Sequence, residues 1–573
     1  MAVKEPEARP RTDLTTLVKV EILDVHHLDP GWAYETRSSE VIFNVYERLA
    51  TYLPDDLAGF GPGLAEELPT RENGGISEDG LVYRFRIRRG VRFHGGETLT
   101  PEDVVYSFRR LLITDREHGP SWMLMEPLLG RTSIRTREGT PELDFADVER
   151  AVSAEGDDVV FRLREPFAPF VAVLAAPSSS ILCRSWAVAQ GEWPGTAETW
   201  REFHNPAEER SSLRLLTNGT GPFVLERIDL QREVVLRRFD GYWRGPAPLE
   251  RVVILREDNR QRRFELLENA ECDMASLDRP DQPKVAAVPG IVMVDQLPTL
   301  TCDILAFTHH INPADNPYIG SGVLDGHGIP PDFFSDVHVR RAFCHCFDSR
   351  RYLREAVLDV SIRIVGPIPS GVFGHNPENP VYSLDLEAAR SEFQQAFGGD
   401  VWERGFRFVI SSKKGHNANR LAAQIVKENV ESINPRFRID ILDLDLGDGN
   451  TKMWQRKVPL WPAGWLADYV DPHNFVHPLM SSRGNVGRVQ GYYNPEAERL
   501  IEEGQRSRDP EERRRIYHRL QRIAYDDAID IFTNQTIAWI PMRDWVKGWV
   551  FHPIMGPQAI TDFYTMRKEP VEA

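Results

Sequence analysis

The stretch from Phe406 to Ile441 constrains the fold more than any other part of this chain. Phe406, Phe408 and Ile410 alternate with less apolar neighbours, as a half-buried strand does. Ala422, Ile425, Val426, Val430 and Ile433 then recur at helical spacing. Phe437, Ile439 and Ile441 resume the alternation. Strand, helix and strand at this spacing form a βαβ unit, which needs parallel pairing and a right-handed crossover. The fold class is therefore α/β.

Similar signals recur elsewhere. Tyr83, Phe85 and Ile87 alternate with arginines. Thr100-Pro101-Glu102-Asp103 opens a helix, with Thr as cap, Pro at the first helical position and acids against the dipole. Residues 113–160 are charged and read as loops, and 190–213 are rich in turn formers. Strands are expected over 223–228, 233–239 and 251–255, and a second capped helix from Asp509. At roughly 100–200 residues per domain, 573 residues suggest two to four lobes. The reading is two unequal α/β lobes with an irregular elaboration, behind a polar tail over residues 1–14.

Charge and cysteine usage exclude several function classes. The 69 Lys and Arg against 86 Asp and Glu give a net charge of −17, which repels phosphate backbones, so no nucleic-acid partner is expected. The most apolar stretch, Phe170 to Ala176, is far short of the ~20 residues a bilayer span needs. The first residues hold no signal-peptide core, so a targeting segment is expected to be absent from the chain as it stands. Five cysteines, at 183, 272, 302, 344 and 346, do not suggest a disulfide framework. Cys344 and Cys346 sit in a helical pattern, where residues two apart point about 200° from each other and cannot share a metal.

No catalytic constellation emerges. There is no Walker loop, no G-x-G-x-x-G and no G-x-S-x-G elbow. Asp443 to Gly449 resembles a calcium loop but lacks the twelfth-position acid, where Trp454 stands. His473 and His477 are spaced like a zinc pair but have no adjacent Glu and are bracketed by Pro472 and Pro478. The expectation is a binding protein, not an enzyme, with neither metal nor cofactor.

Several segments stand together in an order that carries more than any one of them. Gly80 to Phe85 runs into Arg89-Gly90-Val91-Arg92-Phe93-His94-Gly95-Gly96 and then Leu99 to Phe108. Gly219-Thr220-Gly221-Pro222-Phe223 precedes Asp240-Gly241-Tyr242-Trp243. Asp336 to Phe343 and Gly464-Trp465-Leu466-Ala467-Asp468-Tyr469-Val470-Asp471-Pro472 follow. This series strongly resembles the family 5 solute-binding proteins of ABC importers, the dipeptide- and oligopeptide-binding group.

The resemblance implies a bilobed clamp of the periplasmic-binding-protein type (cluster C) that closes on its ligand. Lobe I would be 15–51, 200–298 and 540–573, with 52–199 as its extra subdomain, and lobe II 299–539. Crossings near 298 and 540 would form the hinge. It further implies an extracytoplasmic, possibly lipid-anchored, monomeric receptor that passes peptides to ABC permease subunits. Asp468 would pair with a peptide's α-ammonium, and the backbone of Gly464, Trp465 and Leu466 would take the ligand as an added strand. Trp465 would stack on the first ligand residues. Tyr34, Glu35 and Thr36 would be the matching lobe I segment.

At ~4 Å and an effective dielectric of ~20, the ammonium pair is worth about 4 kcal/mol before desolvation. Pro462 stands where oligopeptide binders often place an Arg for the ligand carboxylate. Lys413, Lys414 or His416 could serve instead as point charges. An insertion over about Asn316 to Ser335, rich in Gly, Pro and Asp, reads as a surface loop near the cleft. The same family also holds receptors for oligosaccharides, nickel complexes and other small solutes, which is the alternative reading of the ligand.

Overall fold

A computed structural model describes residues 13–570, apart from 24, 54–58, 118, 137–138, 553 and 555–559. Residues 1–12 of the expected tail lie outside the described residues. The chain divides into two compact units, Met1–Leu297 with Ala538–Ala573, and Pro298–Ile537.

In the first unit, β1 (Thr16–Glu21) pairs in parallel with Arg251–Arg256 along its whole length and with Met274–Ala275 on its other side. Glu233–Arg238 and Phe223–Asp229 extend this sheet antiparallel. Val18, Val20, Val235 and Val253 pack with Phe264, Leu267 and Trp539 into the core. Helix α1 (Thr36–Val45) ends against the Gly219-Thr220-Gly221 run. A Cβ on Gly219 would lie 2.0 Å from the Val45 carbonyl oxygen, so that position admits only glycine. Tyr242 Oη and Trp243 Nε1 both donate to the buried Glu47, at 2.9 and 3.0 Å. These two motifs are scaffolding.

The expectation of loops over 113–160 is overturned. Helices Trp122–Leu129 and Phe145–Ala151 form there, followed by strands Val152–Glu155 and Asp158–Arg162. Those two strands make a three-stranded antiparallel sheet with Val82–Arg86. The elements are short and their outer faces are charged (Arg84, Glu155 and Asp158 form ion pairs), which hid the period. The capped helix Pro101–Thr114 forms as expected, with a full capping box between Thr100 and Asp103.

The second unit carries β2 (Thr301–Phe307), β3 (Phe406–Lys413), α2 (Asn417–Ile433), β4 (Phe437–Leu444), β5 (Leu460–Leu466) and α3 (His473–Met480). It also holds the first part of β6 (Asp530–Arg543), whose residues from Ala538 belong to the first unit. The sheet runs β4–β3–β5–β2–β6. β3 and β4 are parallel, from Phe406↔Phe437 to Lys413↔Leu444, and the five-residue stripe of α2 is buried.

The 316–335 insertion departs from its reading as a surface loop. Ile319, Ile329, Phe333 and Phe334 are buried in the core of this unit, among Phe343, Phe406 and Phe408. Solvent reaches its tip, where Ser321, Val323, Asp325 and His327 are exposed, and also Pro317, Asp332 and Ser335 near its ends. Next to it Asp336 caps a helix through the His338 N–H at 2.8 Å, and the buried Arg340 donates to the carbonyls of Phe334, Ser335 and Asp527. Glycine and aspartate mark the turns, but the four apolar residues between them decide where the segment sits.

Candidate functional site

β5 is a strand with one open side. It pairs antiparallel with β2 along its length, from Thr301↔Leu466 to Phe307↔Leu460. On the opposite side β3 pairs with it only at Ile410↔Leu460. Among the described residues the remainder of that edge has no strand partner. Gly464 is exposed, and Trp465 and Leu466 are half-buried. A free edge of backbone donors and acceptors is a template for another extended chain.

The strand ends on an anchored pair. Ala467 N–H closes the ladder onto the Leu300 carbonyl at 3.0 Å. Asn474, fully buried at the start of α3, then ties two candidate residues, Trp465 and Asp468, together. Its Oδ1 accepts from Asp468 N–H at 2.7 Å and from Trp465 Nε1 at 3.2 Å, and its Nδ2 donates to Asp468 Oδ2 at 3.3 Å. Asp468 is half-buried, so its carboxylate is oriented while still reachable by solvent. The nearby Asp471 is held in an ion pair, bound by Arg513 Nη2 at 2.8 and 2.9 Å. Asn474 escaped the sequence reading, although it stands six residues past Asp468. Replacing it with Ala should weaken ligand binding about 10- to 100-fold, since Trp465 and Asp468 both lose their tether; calorimetry reads this directly.

The cationic candidates are separated by their surroundings. Lys414 is exposed and paired with Asp445 at 3.0 Å. His416 is exposed at the cap of α2. Lys413 is half-buried at the end of β3, and its charge acts on Asp303. Asp303, on β2 directly across from Gly464, is the second group the sequence reading missed. Burial pushes its carboxyl up to about 6, against the opposing pull of the Thr536 hydroxyl and of Lys413. Pro462 is buried in β5 opposite Leu305, so no side chain there can reach a ligand carboxylate.

The remaining candidates belong to the first unit. Tyr34 precedes α1, Glu35 is its cap residue and Thr36 its first residue. Glu35 turns back on its own chain: Oε2 accepts from Tyr34 N–H at 2.9 Å, and its carbonyl accepts from Ser39 N–H at 3.1 Å. Tyr34 Oη accepts from Trp122 Nε1 at 3.1 Å. The three are half-buried, but Thr36 is helical, so this segment is not the continuous extended strand that 464–466 is. Upstream, Arg110 forks between Asp29 and Glu192 and fixes the entry to the segment.

Among the described residues no group of three or more His, Cys, Asp or Glu is placed to hold a metal ion. His473 and His477 are buried and stack at 5.1 Å. Cys344 and Cys346 are both buried, and burial pushes both thiols up.

An α/β chain in two units, one of them offering an open strand edge beside a tethered tryptophan and aspartate, has the make-up of a solute-binding protein. The model for bacterial extracellular solute-binding proteins, family 5 (Middle), matches residues 59–487, and the chain belongs to that family. It is 26% identical to di/tripeptide-binding protein 2 of Pseudomonas aeruginosa over 550 residues, 92% of this chain and 89% of the relative. It is also 24% identical to heme-binding protein A of Haemophilus influenzae, over 91% of this chain and 86% of that one. The fold matches a periplasmic binding protein, DppA of Helicobacter pylori, solved with the peptide STSA. The TM-score is 0.74 at 22% identity, covering 97% of this chain and 98% of that one. These are the bilobed periplasmic binding proteins, and the present chain has their fold. No described helix is long and apolar enough to cross a membrane.

Proposed function

We propose that this protein is an extracytoplasmic receptor that captures short peptides and delivers them to the membrane subunits of an ABC importer. The observation that carries the reading is the free edge of β5 with Asp468, two residues past its end, held by Asn474. A peptide offers a backbone that can extend the sheet and an ammonium group that a fixed carboxylate can neutralise. Both features are common to all peptides, so the site reads the class and leaves side chains to their surroundings. Lys413 is the candidate for the ligand carboxylate. The family consists of binding proteins, and the receptor needs no cofactor and performs no chemistry. We take it to act as a monomer outside the cytoplasm.

The departure at Pro462 and the similarity to a heme-binding protein favour a second reading, the same receptor for another small solute. Native mass spectrometry of the protein as purified separates the two. A retained mass that fragments as a peptide is the expected result; a retained porphyrin, sugar or metal complex would overturn the peptide reading.

A further inference from the structure

The carboxylate of Asp303 sits on β2 between a bulge on one side and a glycine on the other. β2 pairs with β6 as Asp303↔Asn534 and then Ile304↔Phe532, so Thr533 is an extra residue and the ladder carries a bulge beside Asp303. Bulges re-aim side chains and gather beside functional sites. On the other side, Asp303 faces Gly464, and a Cβ there would lie 2.7 Å from Asp303 Oδ1. The missing side chain is a window through which this oxygen reaches over β5, the strand whose far edge is open. Asp303 Oδ2 accepts from Thr536 Oγ1 at 3.1 Å. Among the described residues Oδ1 has no hydrogen-bond donor, and no ion pair holds the carboxylate. The carboxylate is half-buried, and a cationic donor that reached Oδ1 would form a charge-assisted hydrogen bond, stronger than a neutral one.

We propose that Asp303 is a specificity-determining residue that receives a cationic side chain of a ligand lying along the open edge of β5. This rests on the peptide reading above. Gly464 and Asp468 are four residues apart, so at ~3.3 Å per extended residue they are separated by at most about 13 Å. A peptide held by its ammonium at Asp468 therefore brings one of its next few residues to Gly464. A lysine or arginine there meets Asp303; a neutral chain of the same length leaves the carboxylate without a partner. With its carboxyl at about 6, Asp303 is mostly ionised at neutral pH.

The test is calorimetry on the full chain at pH 7.5 with alanine tetrapeptides carrying, at each position in turn, lysine or its uncharged isostere norleucine. At one position lysine should bind at least tenfold tighter than norleucine. That ratio should fall to near one in Asp303→Asn, which keeps an acceptor for Thr536. It should fall likewise in Gly464→Ala, which displaces the carboxylate and leaves Asp303 in place. Tight peptide binding with no lysine preference at any position, or a preference that survives in Asp303→Asn, overturns this inference and leaves the peptide reading intact. Failure of every peptide to bind the unaltered protein overturns both.

Discussion

Asp468→Asn should weaken the binding of a free-ammonium peptide by roughly 30- to 4000-fold. Asparagine has the same shape and can still accept from Asn474 Nδ2, so the strand end and Trp465 keep their places. What is lost is the charge that, on the proposed reading, neutralises the ammonium. Removing one partner of a buried, hydrogen-bonded charge pair costs about 2–5 kcal/mol, and each ~1.4 kcal/mol is a factor of ten in affinity. Acetylating the peptide removes the same interaction from the other side. A cycle of four affinities, unaltered protein and variant against free and acetylated peptide, isolates the coupling. The expected coupling is most of the single-variant loss. Equal affinities for the free peptide in both proteins would remove Asp468 from the site.

The order of motifs was legible because most of them are scaffold. Gly219 exists to pass the Val45 carbonyl, Tyr242 and Trp243 to satisfy Glu47, and Arg340 to hold three carbonyls. Such residues answer to the backbone geometry of the scaffold, so they point to the fold and say little of the ligand. The βαβ unit was legible for a related reason: its period runs over long, one-sided elements. The elements over 113–160 are too short and too charged to declare a period, and the 316–335 insertion spaces its four core residues among turn formers. At the site, Asn474 and Asp303 act through register and packing. Asp303 matters because it lies across from a glycine on a strand about 160 positions later, and no window of sequence contains that pairing.

Lys19→Met should destabilise the first unit by about 3–5 kcal/mol near pH 8. Lys19 is buried on β1 and bridges Glu21, at 2.9 Å, and Glu40 of α1. Glu21 also accepts from Arg37 at 2.6 Å, and Glu40 from Thr561 N–H at 2.8 Å. Methionine fills much of the same volume but leaves two buried carboxylates facing a single cation. Burial, and next the charge of Glu40, already push Glu21 up to about 7 from its ordinary 4.5. The folded state thus holds a proton at pH values where the unfolded chain has released it. Stability from this group is full below about 4.5 and is lost as pH rises through about 7. Without Lys19 the shift grows, because the cation that favoured the carboxylate form is gone. The deficit of Lys19→Met should therefore shrink markedly at pH 5, and Lys19→Met combined with Glu21→Gln should recover part of it at pH 8. Urea midpoints at the two pH values measure both effects. A variant that unfolds at the same urea concentration as the unaltered protein at pH 8 would mean that the four charges contribute no net stability to the fold.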